Sequence, residues 1–343
     1  MEPVTHALTS LALARVGQKR LPRFGTAMLV VAGVAPDLDY ASYFGGASSF
    51  LRFDRTLLHS LLSSLVLAIV IAAVFYFFAA NHERHFAESD DAGISTLTFS
   101  AAFLVCAIGI AAHLLLDLSS GVGVRLLWPF RMGWFAFDLL REFDIWILIF
   151  LGVGLLLPML IGLVSEEIGE RKERRGLRRG AIAALTLILA YAGARNILHR
   201  RAVGLLQSHD YHGRTPLAVG AFPTSSSPLE WRGVVSTDNT IEEVDVPFAF
   251  GQEFDPEHSV TRYKPEDSPA LQAGQRAGGT QRFLEYARFP IASVVRMGHK
   301  YQFDLRDARF VANDASPANI FVRIEIGSNM QIQRQEFLFA SQR

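Results

Sequence analysis

The stretch LTFSAAFLVCAIGIAAHLLLDL, residues 97–118, decides the fold. Crossing the hydrocarbon core of a bilayer takes roughly 20 apolar residues in a helix, and this run supplies them with only His113 and Asp117 ionisable. The two are four residues apart, so a helix puts both on one face, where they can converge on a single ion. Ionisable groups are costly inside a membrane and need partners. The plain alternative is a buried His–Asp hydrogen bond that fixes helix packing; the metal reading requires further ligands from elsewhere in the chain.

Working outward, residues 60–80, 145–164 and 181–198 are further apolar blocks. The last is shorter, with Arg195 and Asn196 near its end, as a terminal span with snorkelling side chains allows. Ahead of them lie two short apolar arms, 5–16 and 26–35, joined by the basic turn 17–25. At about 1.5 Å per residue neither arm crosses a bilayer, so a hairpin of half-inserted helices is expected. That hairpin returns Asp37 and Asp39 to the level of His6. Asp54 and His59 open the 60–80 span while His113 and Asp117 close the next, so an antiparallel pair brings all seven residues to one side. Arg15, Lys19, Arg20 and Arg23, with the basic loop 166–180, fall on the other side, which the positive-inside rule makes cytoplasmic. The acidic-leaning loop 81–95 also falls inside and counts weakly against the scheme. The expected arrangement is multi-pass, with the candidate site and the C-terminal domain on the periplasmic or exterior face.

Composition agrees with this division. The chain has 343 residues, 50% of them hydrophobic, and Lys+Arg (33) balances Asp+Glu (33). No global field favours nucleic acid, and none is expected as a direct partner. The single Cys106 excludes an internal disulfide framework and reads as a buried, inert thiol. The start lacks a basic n-region, so targeting is expected from uncleaved membrane segments. Residues 121–143, with Trp128, Phe130, Trp134, Phe135 and Phe137 among Arg125, Arg131 and Asp138, suit a helix or loop at the lipid–water interface, or a buried connection. Beyond residue 200 alternating segments 229–236, 300–305, 320–326 and 331–339 read as strands, the last two joined by a Gly327-Ser328-Asn329 turn. Residues 253–279, rich in Pro, Gly and charge, read as a long loop. The expected fold class is mainly α: a multi-span helical membrane domain with an N-terminal hairpin (1–200), followed by a small antiparallel β domain (201–343).

The candidate metal ligands are His6, Asp37, Asp39, Asp54, His59, His113 and Asp117. Singly, His6 reads as an exposed histidine, Pro36-Asp37-Leu38-Asp39 as a solvated turn, and Asp54 as a cap of the next helix. His59 has no neighbour in sequence to satisfy its ring and needs a distant partner. Taken with Arg55…His59-Ser60, His113-Leu-Leu-Leu-Asp117, Leu127-Trp128-Pro129-Phe130 and Pro228-Leu-Glu-Trp-Arg-Gly-Val234, the pattern resembles the bacterial inner-membrane metal-dependent hydrolases labelled LexA-binding. More distantly it is similar to helical zinc-dependent phospholipases C and nucleases. One departure is that the family's His-Arg-Gly-x-Thr-His-Ser stands here as Asp54-Arg55-Thr56-Leu57-Leu58-His59-Ser60.

The resemblance implies a hydrolase with bound metal, placed in the bacterial inner membrane. Imidazole and carboxylate donors without thiolate suit one or two divalent ions, Zn first, with Mn, Fe(II) or Mg possible. Asp54, then Asp39, is expected as general base, and Arg55, Arg125 and Arg131 as phosphate contacts, with lipid-headgroup anchoring as the alternative. Asp138 and Asp144 are candidates to orient ligating histidines, and Asp144 equally to cap a helix. His209-Asp210-Tyr211-His212 looks like a second metal sequence but lacks further ligands nearby. The expected substrate is a phosphoester of a membrane lipid or lipid-linked molecule. The competing class is a non-catalytic metal-binding membrane protein whose C-terminal domain binds a protein partner.

Overall fold

The computed structural model describes residues 1–86, 97–167, 173–224, 227–310 and 318–340. Helix α1 (Pro3–Gly17) begins as its sequence dictates, with proline in the first turn and the Glu2 carboxylate accepting the Thr5 N–H at 2.7 Å. Helix α2 (Gly25–Val34) returns antiparallel against it, completing the expected hairpin. The chain continues as a 3₁₀ run, Ala35–Gly45, into the short helix α3 (Ala47–Phe53). The Pro36–Asp39 segment is thus helical, where the sequence suggested a turn or extended chain. Asp54 closes α3 at its C-terminal end, its N–H bonded to Phe50 O at 2.9 Å, and does not cap the following helix.

Helices α4 (Leu61–Phe86), α5 (Phe99–Leu118), α6 (Ile145–Glu167) and α7 (Glu173–Gln207) contain the four segments long and apolar enough to cross a membrane among the described residues. Their outward faces carry exposed apolar side chains such as Leu65, Ile69 and Phe77 on α4. A helix apolar on its outside is matched to lipid rather than water. Most of the 81–95 loop and part of the 166–180 loop lie outside the described residues. Arg178 Nε still donates to Val16 O at 3.2 Å, which puts the start of α7 at the same end of the helical unit as the hairpin turn.

By its packing the chain divides into two units: Met1–Asp39, Arg55–Arg131 and Phe135–Ala194 form one, and Tyr40–Asp54, Met132–Trp134 and Arg195–Arg343 the other. In the first, α5 packs on α2 and α4 around Met28, Ala32, Ala72, Cys106 and Ile110. The α2–α5 crossing is close because Gly109 faces it. A Cβ at Gly109 would lie 2.8 Å from Leu29 O, and on the other side of α2 one at Gly33 would collide with the Ser10 hydroxyl of α1. Small residues of this kind let membrane helices approach backbone to backbone. The 121–143 segment contains no helix. It is an ordered loop stitched to the end of α5 by Phe137 N→Leu118 O (2.7 Å) and Leu139 N→Ser119 O (2.9 Å), and to the start of α4 by Leu61 N→Leu126 O (2.9 Å).

The second unit holds the expected antiparallel β structure, arranged as two sheets: β1 (Ala218–Pro223), β2 (Glu230–Ser236), β3 (Thr240–Pro247) and β4 (Val260–Tyr263), then β5 (Pro290–Met297), β6 (Lys300–Asp307), β7 (Ile320–Ile326) and β8 (Ile332–Phe339). The residues read as a long loop contain β4 and helix α8 (Pro269–Arg276), and run into α9 (Gly278–Leu284). The helix signal was present: Ser268 accepts the Leu271 N–H at 3.2 Å ahead of a first-turn proline, and Gly274 lets α8 sit against the Phe303 ring. The end of α7 docks on the first sheet, Arg195 lying 3.8 Å over the Trp231 ring.

Because the atom facing Gly109 is backbone, it has no rotamer to move aside. Gly109→Val should cost about 1–3 kcal/mol by overpacking, read as a lower thermal midpoint in detergent; an unchanged midpoint would show that the crossing is looser than described.

Candidate metal centre

Four donors come together at one end of the helical unit. One ligand atom each from His6, Asp37, His113 and Asp117 lies within 4.8 Å of every other, so the group can hold a metal ion. His6 comes from the first turns of α1, Asp37 from the 3₁₀ run, and His113 and Asp117 from the last two turns of α5. His59, from the turn before α4, adjoins them, with Nε2 at 3.0 Å from His113 Nε2 and 3.1 Å from Asp117 Oδ2. All are buried except Asp37, whose side chain is 13% exposed and marks the open edge of the group.

The far sides of two rings fix their tautomers. His113 Nδ1 lies 2.8 Å from Gly33 O, which can only accept, so this nitrogen carries the proton. His59 Nδ1 lies 3.1 Å from Asp39 Oδ2, the oxygen that also accepts the Leu58 N–H at 2.8 Å. In a neutral imidazole the other nitrogen is then a lone pair. Both Nε2 lone pairs point at each other and at Asp117 Oδ2, 3.1 and 3.4 Å away. Among the described residues Asp117 Oδ2 correspondingly has no hydrogen-bond partner, and neither do Asp37 Oδ2 or the two ring nitrogens of His6, of which Nε2 lies 3.3 Å from Asp117 Oδ1. The His6 ring instead stacks on His113 at 3.7 Å. Lone pairs facing a carboxylate repel unless a cation lies among them. The Met1 ammonium, buried and bonded to Asp117 Oδ1, and Arg55 Nη1, 3.6 Å from the same oxygen, supply positive charge there.

Burial sets the proton affinities outside the spans. It pushes the Asp37 carboxyl up to about 6, against the pull of the N-terminal ammonium and Arg55. It pushes Asp39 up to about 7, against three backbone N–H bonds from Leu58, Thr56 and Leu57. Burial, helped by the charges of Arg55 and the N-terminus, holds His59 well below the ordinary histidine range.

Of the seven sequence candidates, His6, Asp37, His113 and Asp117 form the group and His59 touches it. Asp39 stands behind His59, bonded to its distal nitrogen, and Asp54 belongs to the second unit. Arg55 is committed to protein partners, Ser120 Oγ at 3.0 Å and Glu142 Oε1 at 3.3 Å besides Asp117. Arg125 is buried and Arg131 exposed. Asp144 caps α6 through Trp146 N (3.1 Å) and accepts from Tyr191 Oη (3.2 Å). In the His209–His212 motif the imidazoles diverge, His209 to Leu205 O and His212 to Thr261 Oγ1. Sequence reasoning missed the Gly33 carbonyl, for which no side-chain signal exists, and Ser120 and Glu142, which only the fold brings to Arg55.

A family model described as YdjM inner membrane protein matches residues 1–202. The chain belongs to the YdjM inner membrane protein family. Its match spans the hairpin, α3 to α6, most of α7 and every residue of the donor group, and ends before β1. Membership in an inner-membrane family agrees with the four apolar helices. Comparisons with curated proteins and with solved structures gave no match.

The raised carboxyls have a pH consequence. The folded protein holds protons on Asp37 and Asp39 that an unfolded chain has released, so their stabilising contribution is present below the ordinary carboxylate range and is lost as pH rises through about 6 to 7. A divalent cation taking the place of the Asp37 proton offsets its share of the loss. Added Zn²⁺ or Mn²⁺ should therefore raise the melting temperature in detergent markedly at about pH 8 and much less at about pH 5. Equal shifts at the two values would reject the linkage.

Proposed function

We propose that this YdjM family member is a membrane-embedded, metal-dependent hydrolase that cleaves a phosphoester of a lipid or lipid-linked substrate at the membrane surface. The observation that carries the reading is the pair of imidazole lone pairs, on His59 and His113, held by their distal hydrogen bonds against one buried carboxylate. His6, His113, Asp117 and Asp37, with His59 beside them, would hold a divalent ion, which would supply Lewis acidity and activation of water near neutral pH. The thiolate-free donor set favours Zn, with Mn or Fe(II) and, given its carboxylates, Mg as the other candidates. One ion is the occupancy that four mutually close donors support.

The chain's own residues divide the remaining work. Asp39 and the Gly33 carbonyl hold two histidines in the ligating tautomer, as second partners of metal-bound histidines commonly do. Arg55 acts through Asp117, balancing its charge, rather than on substrate. Asp37, at the open edge and with Oδ2 lacking a hydrogen-bond partner among the described residues, is the carboxylate best suited to take a proton from water, the role expected of Asp54 from sequence. Exposed apolar side chains on the site-bearing segments, Leu38 between the two aspartates, Leu57 before His59, and Phe130, favour a lipid substrate over a freely soluble one.

Burial of the group favours a second reading, a closed structural metal site in a non-catalytic protein. Metal analysis of purified protein beside a phosphoesterase screen separates the two. The expected result is bound metal and activity in the wild type, with metal affinity down about 10–100-fold in Asp39→Asn and both metal and activity lost in His113→Ala and Asp37→Ala. Metal without any hydrolysis selects the structural reading; neither metal nor activity changing in the variants removes the site assignment.

Orientation is a separate proposal, with the donor group and the C-terminal domain on the periplasmic face, from the basic hairpin turn and the α7 start at the opposite end. A phosphatase reporter fused after Arg343 should be active; activity only from a cytoplasmic reporter at that position would reverse the topology.

A further inference from the structure

Two carboxylates flank the Arg55 guanidinium, and only one of them belongs to the donor group. Arg55 Nη1 lies 3.6 Å from Asp117 Oδ1, while Nη1 also donates to Ser120 Oγ at 3.0 Å and Nη2 donates to Glu142 Oε1 at 3.3 Å. All four residues lie within the first unit. At 3.6 Å the Asp117 contact is too long for a hydrogen bond. The bonds to Ser120 and Glu142 therefore hold the guanidinium short of bonding to Oδ1.

That distance matters because of what Asp117 has to do. Its Oδ1 already takes the Met1 ammonium, and its Oδ2 faces the Nε2 atoms of His59 and His113 at 3.1 and 3.4 Å. A guanidinium that closes on a carboxylate takes both oxygens in a fork, and a carboxylate held so is withdrawn from a metal. Arg55 is built to stay where it is. Its backbone is left-handed, with φ +50°, a conformation that non-glycine residues keep only where the surroundings over-determine it. Its carbonyl accepts the Arg125 N–H at 3.1 Å. Of its two side-chain anchors, Ser120 moves with Asp117, since Ser120 Oγ donates to Asp117 O at 2.7 Å. Glu142 comes from a different segment, just ahead of α6, and its carboxylate is 36% exposed against 1% for Asp117. It alone of the two anchors brings a negative charge to oppose that of Asp117.

We propose that Glu142 is a positioning residue for the metal centre: it draws the Arg55 guanidinium toward itself and so keeps Asp117 available to a divalent cation. The proposal rests on the reading of the His/Asp group as a metal site. With Glu142 neutralised, Asp117 becomes the carboxylate that Arg55 closes on, and the guanidinium competes with the cation. The consequence has an unusual sign. Loss of affinity caused by removing Glu142 is repaired by removing Arg55 as well, whereas a residue that merely tethered the 121–143 loop would leave the double variant as weak as the single or weaker.

The test uses the full chain in detergent with Zn²⁺ alone as ligand, comparing wild type, Glu142→Gln, Glu142→Asp and the double variant Glu142→Gln/Arg55→Gln. Glutamine keeps the shape of the side chain and leaves in place the bond from Glu2 N to Glu142 O (3.2 Å), so the start of α1 stays tied. Zn²⁺ affinity should fall roughly tenfold in Glu142→Gln. It should return to the wild-type value or above in the double variant, and stay nearer wild type in Glu142→Asp, which retains the charge. Unchanged affinity in Glu142→Gln overturns the proposal while leaving the metal reading intact, as does a double variant no tighter than the single. If the double variant fails to fold, Glu142→Asp decides, and a loss equal to that of Glu142→Gln overturns the proposal. A wild type that takes no Zn²⁺ overturns the metal reading, and the proposal with it.

Discussion

The hydrogen bond from His113 Nδ1 to the Gly33 carbonyl does two things at once. It adds to the contact between α5 and α2 that Gly109 keeps close, and it commits the proton of a buried imidazole to the side away from the donor group. Every other feature of the centre answers to the lone pair this leaves behind. His59 is turned the same way by Asp39, Asp117 faces both rings, and the Met1 ammonium and Arg55 lie on the other oxygen of Asp117. Moving α5 away from α2 would free the imidazole to take the other tautomer, and the demand for a cation would weaken.

Charge within the centre is arranged so that no protein hydrogen bond satisfies it fully. Desolvation raises Asp37 and Asp39 and lowers His59, so protons favour the carboxyls and avoid that imidazole. In such surroundings a metal ion and protons compete for the same carboxylates, which links occupancy, stability and pH. Backbone N–H groups of the 56–58 turn and the Arg55 guanidinium hold the ligand-bearing segments in place around it.

The chain's two regions differ in how legible they were. Long apolar blocks announce spans because backbone groups in lipid must be satisfied within the segment, which makes helix the only local solution. His113 and Asp117 were legible because charge is rare in such a block, and the short arms 5–16 and 26–35 were legible as a hairpin by length. The β region was read less well. β3 carries Glu242, Glu243 and Asp245 among its apolar positions, and α8 hid in a stretch dense in Pro and Gly, although its Ser-Pro start was a usable signal. That the eight strands among the described residues form two sheets depends on which strands pair, and pairing is a long-range choice.

By itself the sequence determined where the chain is apolar for long enough to span, where helices begin, and which few residues bring ionisable groups to those spans. Only the tertiary structure decided how they divide: His6, Asp37, His113 and Asp117 in one group, His59 against it, Asp39 behind His59, and Asp54 in the other unit. The reason is physical. Helical propensity and hydrophobic length act within a segment, whereas a ligand set is fixed by the direction of hydrogen bonds to atoms, such as the Gly33 carbonyl, that every residue possesses and no sequence pattern marks.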